Sequence, residues 1–160
     1  IKFPDSLKYS TPNNKIVYGG GGIMPDIFIP IDTSKSSLYY TNLIRKGILN
    51  QFTLSYLDKH RKELYAKYPT FDAYKKQFTV SQEMLDALIA AAEKEKIKKD
   101  EKGLAISGDV IKLQMKALLA RDLWKNDSYY EIINEINDAY QKALEVFKND
   151  TFKKYKINSY

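Results

Sequence analysis

The sequence predicts a mainly α fold, a helical bundle of four to six helices preceded by a short β-strand or hairpin arm. Three observations predict it. Apolar residues recur at i, i+3, i+4 and i+7 through most of the chain beyond residue 36. Four of the five prolines and four of the seven glycines fall in the first thirty residues, which interrupts any helix there. The same thirty residues hold "LKYST" and "KIVY", rich in β-branched and aromatic residues, around the turn signal "PNN". At 160 residues, 44% hydrophobic and 29% charged, the chain can bury a core and has an ordinary soluble composition. No apolar run approaches the roughly 18 residues that span a bilayer.

Taken in order, "LKYST" and "KIVY" read as two short strands and "DIFIP", residues 26–30, as a third. The first helix begins after Ser36 or Ser37 and carries Tyr40, Leu43, Ile44 and Ile48, then Tyr56, Leu57, His60 and Leu64. Gly47 is a candidate bend within it. "YPT" at 68–70 ends it, because the residue before a proline avoids the α region. Thr70 then caps a short helix with Phe71, Tyr74 and Phe78. Thr79 or Ser81 caps the next, with Leu85, Leu88, Ile89 and Ala92 on one side and a charged tail, "KEKIKKDEKG", expected to fray or lie exposed. Ser107 or Asp109 is the expected cap of the following helix, with Val110, Leu113, Ala117, Leu118 and Ala120 apolar. "NDS" at 126–128 breaks it. Ser128 and Glu131 spell a capping box for one last helix running from Tyr129 through Ile132, Ile136, Tyr140 and Leu144 to Phe147. The expected division is a β arm over 1–33 and a helical domain over 34–160.

Composition excludes several chemistries. With no cysteine, disulfides, thiolate zinc sites and thiol catalysis are out; with one histidine, His60, a histidine-rich metal site is out too. Net charge is +6 and the pI near 9.2, which suits either an anionic partner or lysine-rich solvated helix faces. Arginine is confined to Arg45, Arg61 and Arg121, whereas readers of bases and phosphates lean on arginine forks, so nucleic acid is not the expected partner. Tyrosine is abundant at thirteen residues, and Tyr39, Tyr40, Tyr56, Tyr65, Tyr68 and Tyr74, with Tyr129, Tyr130 and Tyr140, run through the helical part. Stacking on nucleic-acid bases is one reading of them; buried rings at core edges and interfaces, with wet hydroxyls, is the favoured one.

The four glycines, Gly19, Gly20, Gly21 and Gly22, raise the question of a phosphate loop. A Walker loop needs Gly-Lys-Ser/Thr opening a helix, and here the run continues into Ile-Met-Pro-Asp. The glycines instead mark a tight turn or a closely approached backbone where a side chain would clash. His60, amid charges on a helix, reads as a partly exposed helix residue ahead of a base or ligand. Asp127 with Glu131, and Glu135 with Asp138, have the spacing of ordinary solvated helix faces as much as of a carboxylate dyad. No serine lies in a small-residue turn that would present a nucleophile. No catalytic residue, metal site or cofactor is expected.

The stretch Tyr9-Ser10-Thr11-Pro12-Asn13-Asn14-Lys15, followed by Gly22-Ile23-Met24-Pro25-Asp26-Ile27, resembles the C-terminal processing peptidases, or tail-specific proteases, a family of Ser-Lys serine peptidases. Their core carries Tyr-x-Thr-Pro-x-Gly-Arg, a short strand, a glycine turn and Gly-Ile-x-Pro-Asp. Asn14 and Lys15 stand where Gly-Arg is common, and the glycine run is extended, which is similar to the Bacteroidetes-type members. The match covers residues 7 to 31; the helical remainder agrees by placement and tyrosine-rich character. The family motif residues are Gly19, Gly20, Gly21, Gly22, Ile23, Pro25 and Asp26.

The resemblance implies a hydrolase as parent, periplasmic or secreted, with its nucleophilic serine, its lysine base and its substrate-binding PDZ domain all before this motif. The chain begins with Ile and shows no signal peptide, as expected of an excised piece. It is then the last strands of a protease core plus a C-terminal helical domain, inactive alone. Its expected partners are the rest of that core, polypeptide substrates through the parent, and other copies of itself through the N-terminal strands; no membrane is expected to be among them. The alternative is an independent helical module that binds protein or peptide. Strands without their sheet leave N–H and C=O groups that seek partners, so residues 1–30 should pair with a copy, fold onto helices or be poorly ordered.

Overall fold

The computed structural model describes residues 4–12, 14–20, 22, 25–149 and 151. Two short strands, β1 (Lys8–Ser10) and β2 (Ile16–Tyr18), are followed by seven α-helices among the described residues. These are α1 (Leu38–Arg45), α2 (Ile48–Lys67), α3 (Phe71–Gln77), α4 (Gln82–Lys94), α5 (Glu101–Leu123), α6 (Asn126–Ile133) and α7 (Asp138–Lys148). The mainly α architecture with a small β arm is therefore the observed one. The chain divides into two compact units, Asp32–Asn137 with α1 to α6, and Ile1–Ile31 with Asp138–Tyr160, which holds the hairpin and α7.

In the smaller unit β1 and β2 pair antiparallel, with Tyr9 opposite Val17. The turn closes as the sequence suggests. Asn14 takes a left-handed φ of 57°, its N–H reaches the carbonyl of Thr11, and the Thr11 hydroxyl accepts from the Lys15 N–H at 3.1 Å. Residues 26–30, expected as a third strand, form none: they are bends and irregular chain. Pro25 and Pro30 withdraw two ladder donors, and Asp26 is drawn back to the turn by a 2.7 Å ion pair with Lys15. No described residue of this unit is buried.

The larger unit owns the core. Local capping follows the side chains: Ser37, Thr70 and Ser81 each accept the third amide of the helix they start, α1, α3 and α4. Gly47 parts α1 from α2 at φ +69°, a conformation that favours glycine. The charged tail after α4 is largely exposed, as expected, but it opens with a tight stop instead of fraying. Lys96 is left-handed (φ 61°), its N–H reaches Glu93, and the Ile97 N–H reaches Ala92 at 2.9 Å while its side chain is buried. That is a Schellman motif with lysine in the usual glycine position.

α5 begins at Glu101, capped by Asp100, whose carboxylate accepts from Gly103 N–H at 3.0 Å. The expected caps Ser107 and Asp109 therefore lie inside the helix. Ser107 is fully buried and joins distant backbone: its hydroxyl donates to the Lys35 carbonyl at 2.9 Å and accepts from the Ser37 N–H at 2.8 Å. The expected capping box also fails. α6 starts three residues early behind Lys125, so Ser128 is an interior residue, fully buried, and Glu131 pairs with Lys75 at 3.7 Å. The single last helix is broken: Asn134–Ile136 tighten into a 3₁₀ turn and Asn137 is extended. Asn side chains compete for local hydrogen bonds, and Asn137 donates to Asn134 across this break at 3.3 Å.

Three substitutions test this packing. Ser107→Ala strands the buried Ser37 N–H and should cost about 1–3 kcal/mol, read as a lower urea midpoint with unchanged slope. Tyr74→Phe, which loses the 3.0 Å bond from its hydroxyl to the Lys116 carbonyl, should cost about 1 kcal/mol. Tyr39→Phe should be neutral or stabilising, because the buried Tyr39 hydroxyl has no partner among the described residues.

Candidate functional site

The glycine segment follows β2. The Gly19 N–H donates to the Leu7 carbonyl at 2.7 Å and prolongs the hairpin. Its α-carbon lies against the Tyr9 ring, where a Cβ would stand 2.7 Å from Cε2. Gly20 and Gly22 hold φ of +77° and +99°. This is a backbone laid on an aromatic ring, with no helix N-terminus behind it. Pro25 follows, then Asp26 in its ion pair; Gly21 and Ile23 lie outside the described residues.

Two clefts open on the larger unit. One lies where the α1–α2 junction meets α5 and α6, with a volume of about 280 Å³. Gln114 and Arg121 of α5, Asn50 of α2, and Asn126, Tyr129 and Tyr130 of α6 supply its polar lining. The other, about 400 Å³, runs beside the C-terminal half of α2 and the link from α3 to α4. Tyr56 and His60 form one wall, stacked at 4.3 Å, and His60 Nδ1 meets Glu63 Oε2 at 3.0 Å. Thr79 and Ser81 also line it.

Asp127 pairs with Lys125 at 3.1 Å and Glu131 with Lys75, so each acid has its own basic partner. Glu135 sits in the 3₁₀ turn and Asp138 opens α7. Among the described residues no three His, Cys, Asp or Glu side chains are grouped to hold a metal ion. No helix among them is long and apolar enough to cross a membrane.

The tyrosines are mostly structural. Tyr74 stacks on Phe78 at 4.5 Å and meets Trp124 at 5.1 Å, while Tyr68 meets both Tyr74 and Phe78 edge-on. Tyr65 stands edge-on to Trp124 and donates to the Leu123 carbonyl. Their hydroxyls are less wet than expected, since those of Tyr65 and Tyr74 bond to backbone. Tyr130 is exposed. Burial pushes the phenols of Tyr39, Tyr40, Tyr56 and Tyr74 above the ordinary value, Tyr74 most strongly. Burial lowers Lys116, whose ammonium donates to the Lys75 carbonyl at 2.7 Å.

The larger unit is thus a helical module with a closed core and open clefts on its surface. Residues 39–125, more than half of the chain, match the family of unknown function DUF8443, and the chain belongs to that family. No curated protein and no solved structure matched it.

The phenols set an alkaline limit. A phenol whose folded value is raised contributes stability that is complete below its ordinary value of 10.0 and is lost as pH climbs toward the folded value. Lys116 acts with the opposite sign, its penalty fading as pH rises to its ordinary 10.5. Four phenols against one lysine give a net loss, so cooperative unfolding should begin above about pH 10, with the last part of the tyrosinate absorbance appearing only as helical circular dichroism is lost. Ionisation of all thirteen tyrosines with the helices intact would contradict the burial of these four rings.

Proposed function

We propose that the chain is the non-catalytic C-terminal region of a carboxyl-terminal processing serine peptidase of the cell envelope. Its helical unit supports core packing, self-association or access of unfolded tails. One observation carries the reading. The Gly22-Ile23-Met24-Pro25-Asp26 sequence sits behind a two-strand hairpin in which Tyr9, Ile16 and Val17 are exposed and no described residue is buried. A two-strand hairpin alone is marginal in water, and these exposed apolar side chains suit packing within a larger sheet. The parent's activity comes from the resemblance, and no residue of this chain is assigned to it.

A second reading has its own support. The family match lies over residues 39–125 and leaves the hairpin outside. An independent helical module binding protein or peptide accounts for that boundary directly.

The reading frame upstream of Ile1 separates the two. The first expects a serine in a small-residue turn, then a lysine some tens of residues on, and peptide hydrolysis by the assembled parent that a Ser→Ala change abolishes. The isolated chain should hydrolyse nothing. An unrelated upstream sequence, or serine-dependent hydrolysis by this chain alone, would sink it.

A further inference from the structure

The smaller cleft has a chemical bias. Of its ten lining residues none is acidic, and one, Arg121, is charged. Asp122 takes the Nε–Nη2 edge of the Arg121 guanidinium, at 2.8 and 3.1 Å, and is not itself part of the lining. The Nη1 side of the fork is left as a donor. Gln114 Nε2 donates to the Tyr129 hydroxyl at 2.9 Å, so that oxygen is already an acceptor and its own hydrogen is free to donate. The amides of Asn50 and Asn126 bring further donors. The α2 end adds the same polarity to what the side chains define: Gly47 caps it without a side-chain acceptor, and Gly47, Leu49 and Asn50 all line the cleft.

The rest of the cleft is apolar. Leu49 and Leu118 are buried beneath it, and Ile44 stands at its edge. The rings of Tyr129 and Tyr130 stand edge to face at 5.3 Å. A concave site with an apolar floor and a few convergent donors is the usual form of a small-molecule site, and this volume suits a small one. The larger cleft has no such bias, since Glu63 lies beside His60 and Lys67 in its lining.

We propose that this cleft binds a small molecule bearing one oxyanion, carboxylate or phosphate, on a flat apolar body. Arg121 Nη1, the Tyr129 hydroxyl and the Asn50 amide hold the oxyanion, and the body lies over Leu49 and Leu118 beside the tyrosine rings. The site is independent of the peptidase reading, because none of its residues belongs to the hairpin or the glycine segment.

The test is an amide NMR titration of the intact chain with benzoate, phenyl phosphate, inorganic phosphate and neutral benzamide. Saturable shifts are expected at Gly47, Asn50, Gln114 and Asn126 with one or both aromatic anions, weaker ones with inorganic phosphate, and none with benzamide. Whichever aromatic anion binds more tightly names the oxyanion. Arg121→Gln should weaken binding by about tenfold or more, the scale of one charge-assisted contact. Tyr129→Phe, which removes only the donor hydroxyl, should weaken it by a few-fold and guards against an Arg121 variant that fails to fold. The proposal is overturned if neither aromatic anion gives saturable shifts, if they map away from the cleft, or if benzamide binds equally. Full affinity in a folded Arg121→Gln protein would overturn it as well.

Discussion

Residues 117–120 are all buried, four in succession. Successive residues of a helix point in directions about a quarter-turn apart, so α5 is enclosed on every side over this stretch. It packs against α1, α2 and α6, and the bundle is arranged around it. Ala117 and Ala120 keep it slim enough for neighbours to approach, while Leu118 and Leu119 fill the spaces between them. A helix so enclosed leaves its polar groups little access to water, and each must find a partner in the protein. Ser107 joins the chain ahead of α1, and the Lys116 carbonyl accepts from Tyr74 while its ammonium reaches Lys75. These bonds fix where α1 and α3 dock along α5.

Two sides of the C-terminal half of α5 then take different characters. Toward the C-terminus of α5, Trp124 gathers Tyr65, Phe71 and Tyr74, with Tyr68 and Phe78 behind them. Rings at 4.5–5.9 Å, mostly tilted or edge-on, fill a large volume between short helices with few contributing residues. On the α6 side the turn at Trp124 and Lys125 and the break at Gly47 keep neighbouring backbones apart, and the donor-lined cleft lies there. The heavy tyrosine content is thus accounted for chiefly by packing.

Local signals were legible where local chemistry decides. Ser37, Thr70 and Ser81 cap because their oxygens reach amides three residues on, and Gly47 bends because its φ is positive. Signals failed where a distant partner decides. Ser107 has the composition of a cap, but its hydrogen bonds are to residues some seventy positions away. Ser128 and Glu131 have the spacing of a capping box, but α6 starts earlier and carries the serine into the core. Ile97 sits in a run of lysines that reads as solvated, yet its one apolar side chain suffices to close a Schellman turn. The cleft could not be read at all, since its donors come from positions 50, 114, 121, 126 and 129, which only packing brings together. The absence of acidic residues from its lining is a property of three dimensions.

The hairpin poses the opposite problem, a clear sequence signal with little structure behind it. Six residues of strand give one ladder, and the register places Tyr9 against Val17 with both still exposed. Further along, Phe28 is 75% and Ile31 90% exposed. At about 25 cal/mol per Å² of apolar surface, side chains left in water contribute almost nothing toward the entropy of ordering the backbone that bears them. Its glycines suit the path the chain takes: Gly20 and Gly22 hold positive φ, which glycine adopts freely, and Gly19 lies close against the Tyr9 ring. The exposure of Tyr9, Val17, Phe28 and Ile31 is therefore the physical case for a cover over this segment, independently of any family resemblance. A further strand suits that role better than a helix, because it would lengthen the ladder as well as cover the rings.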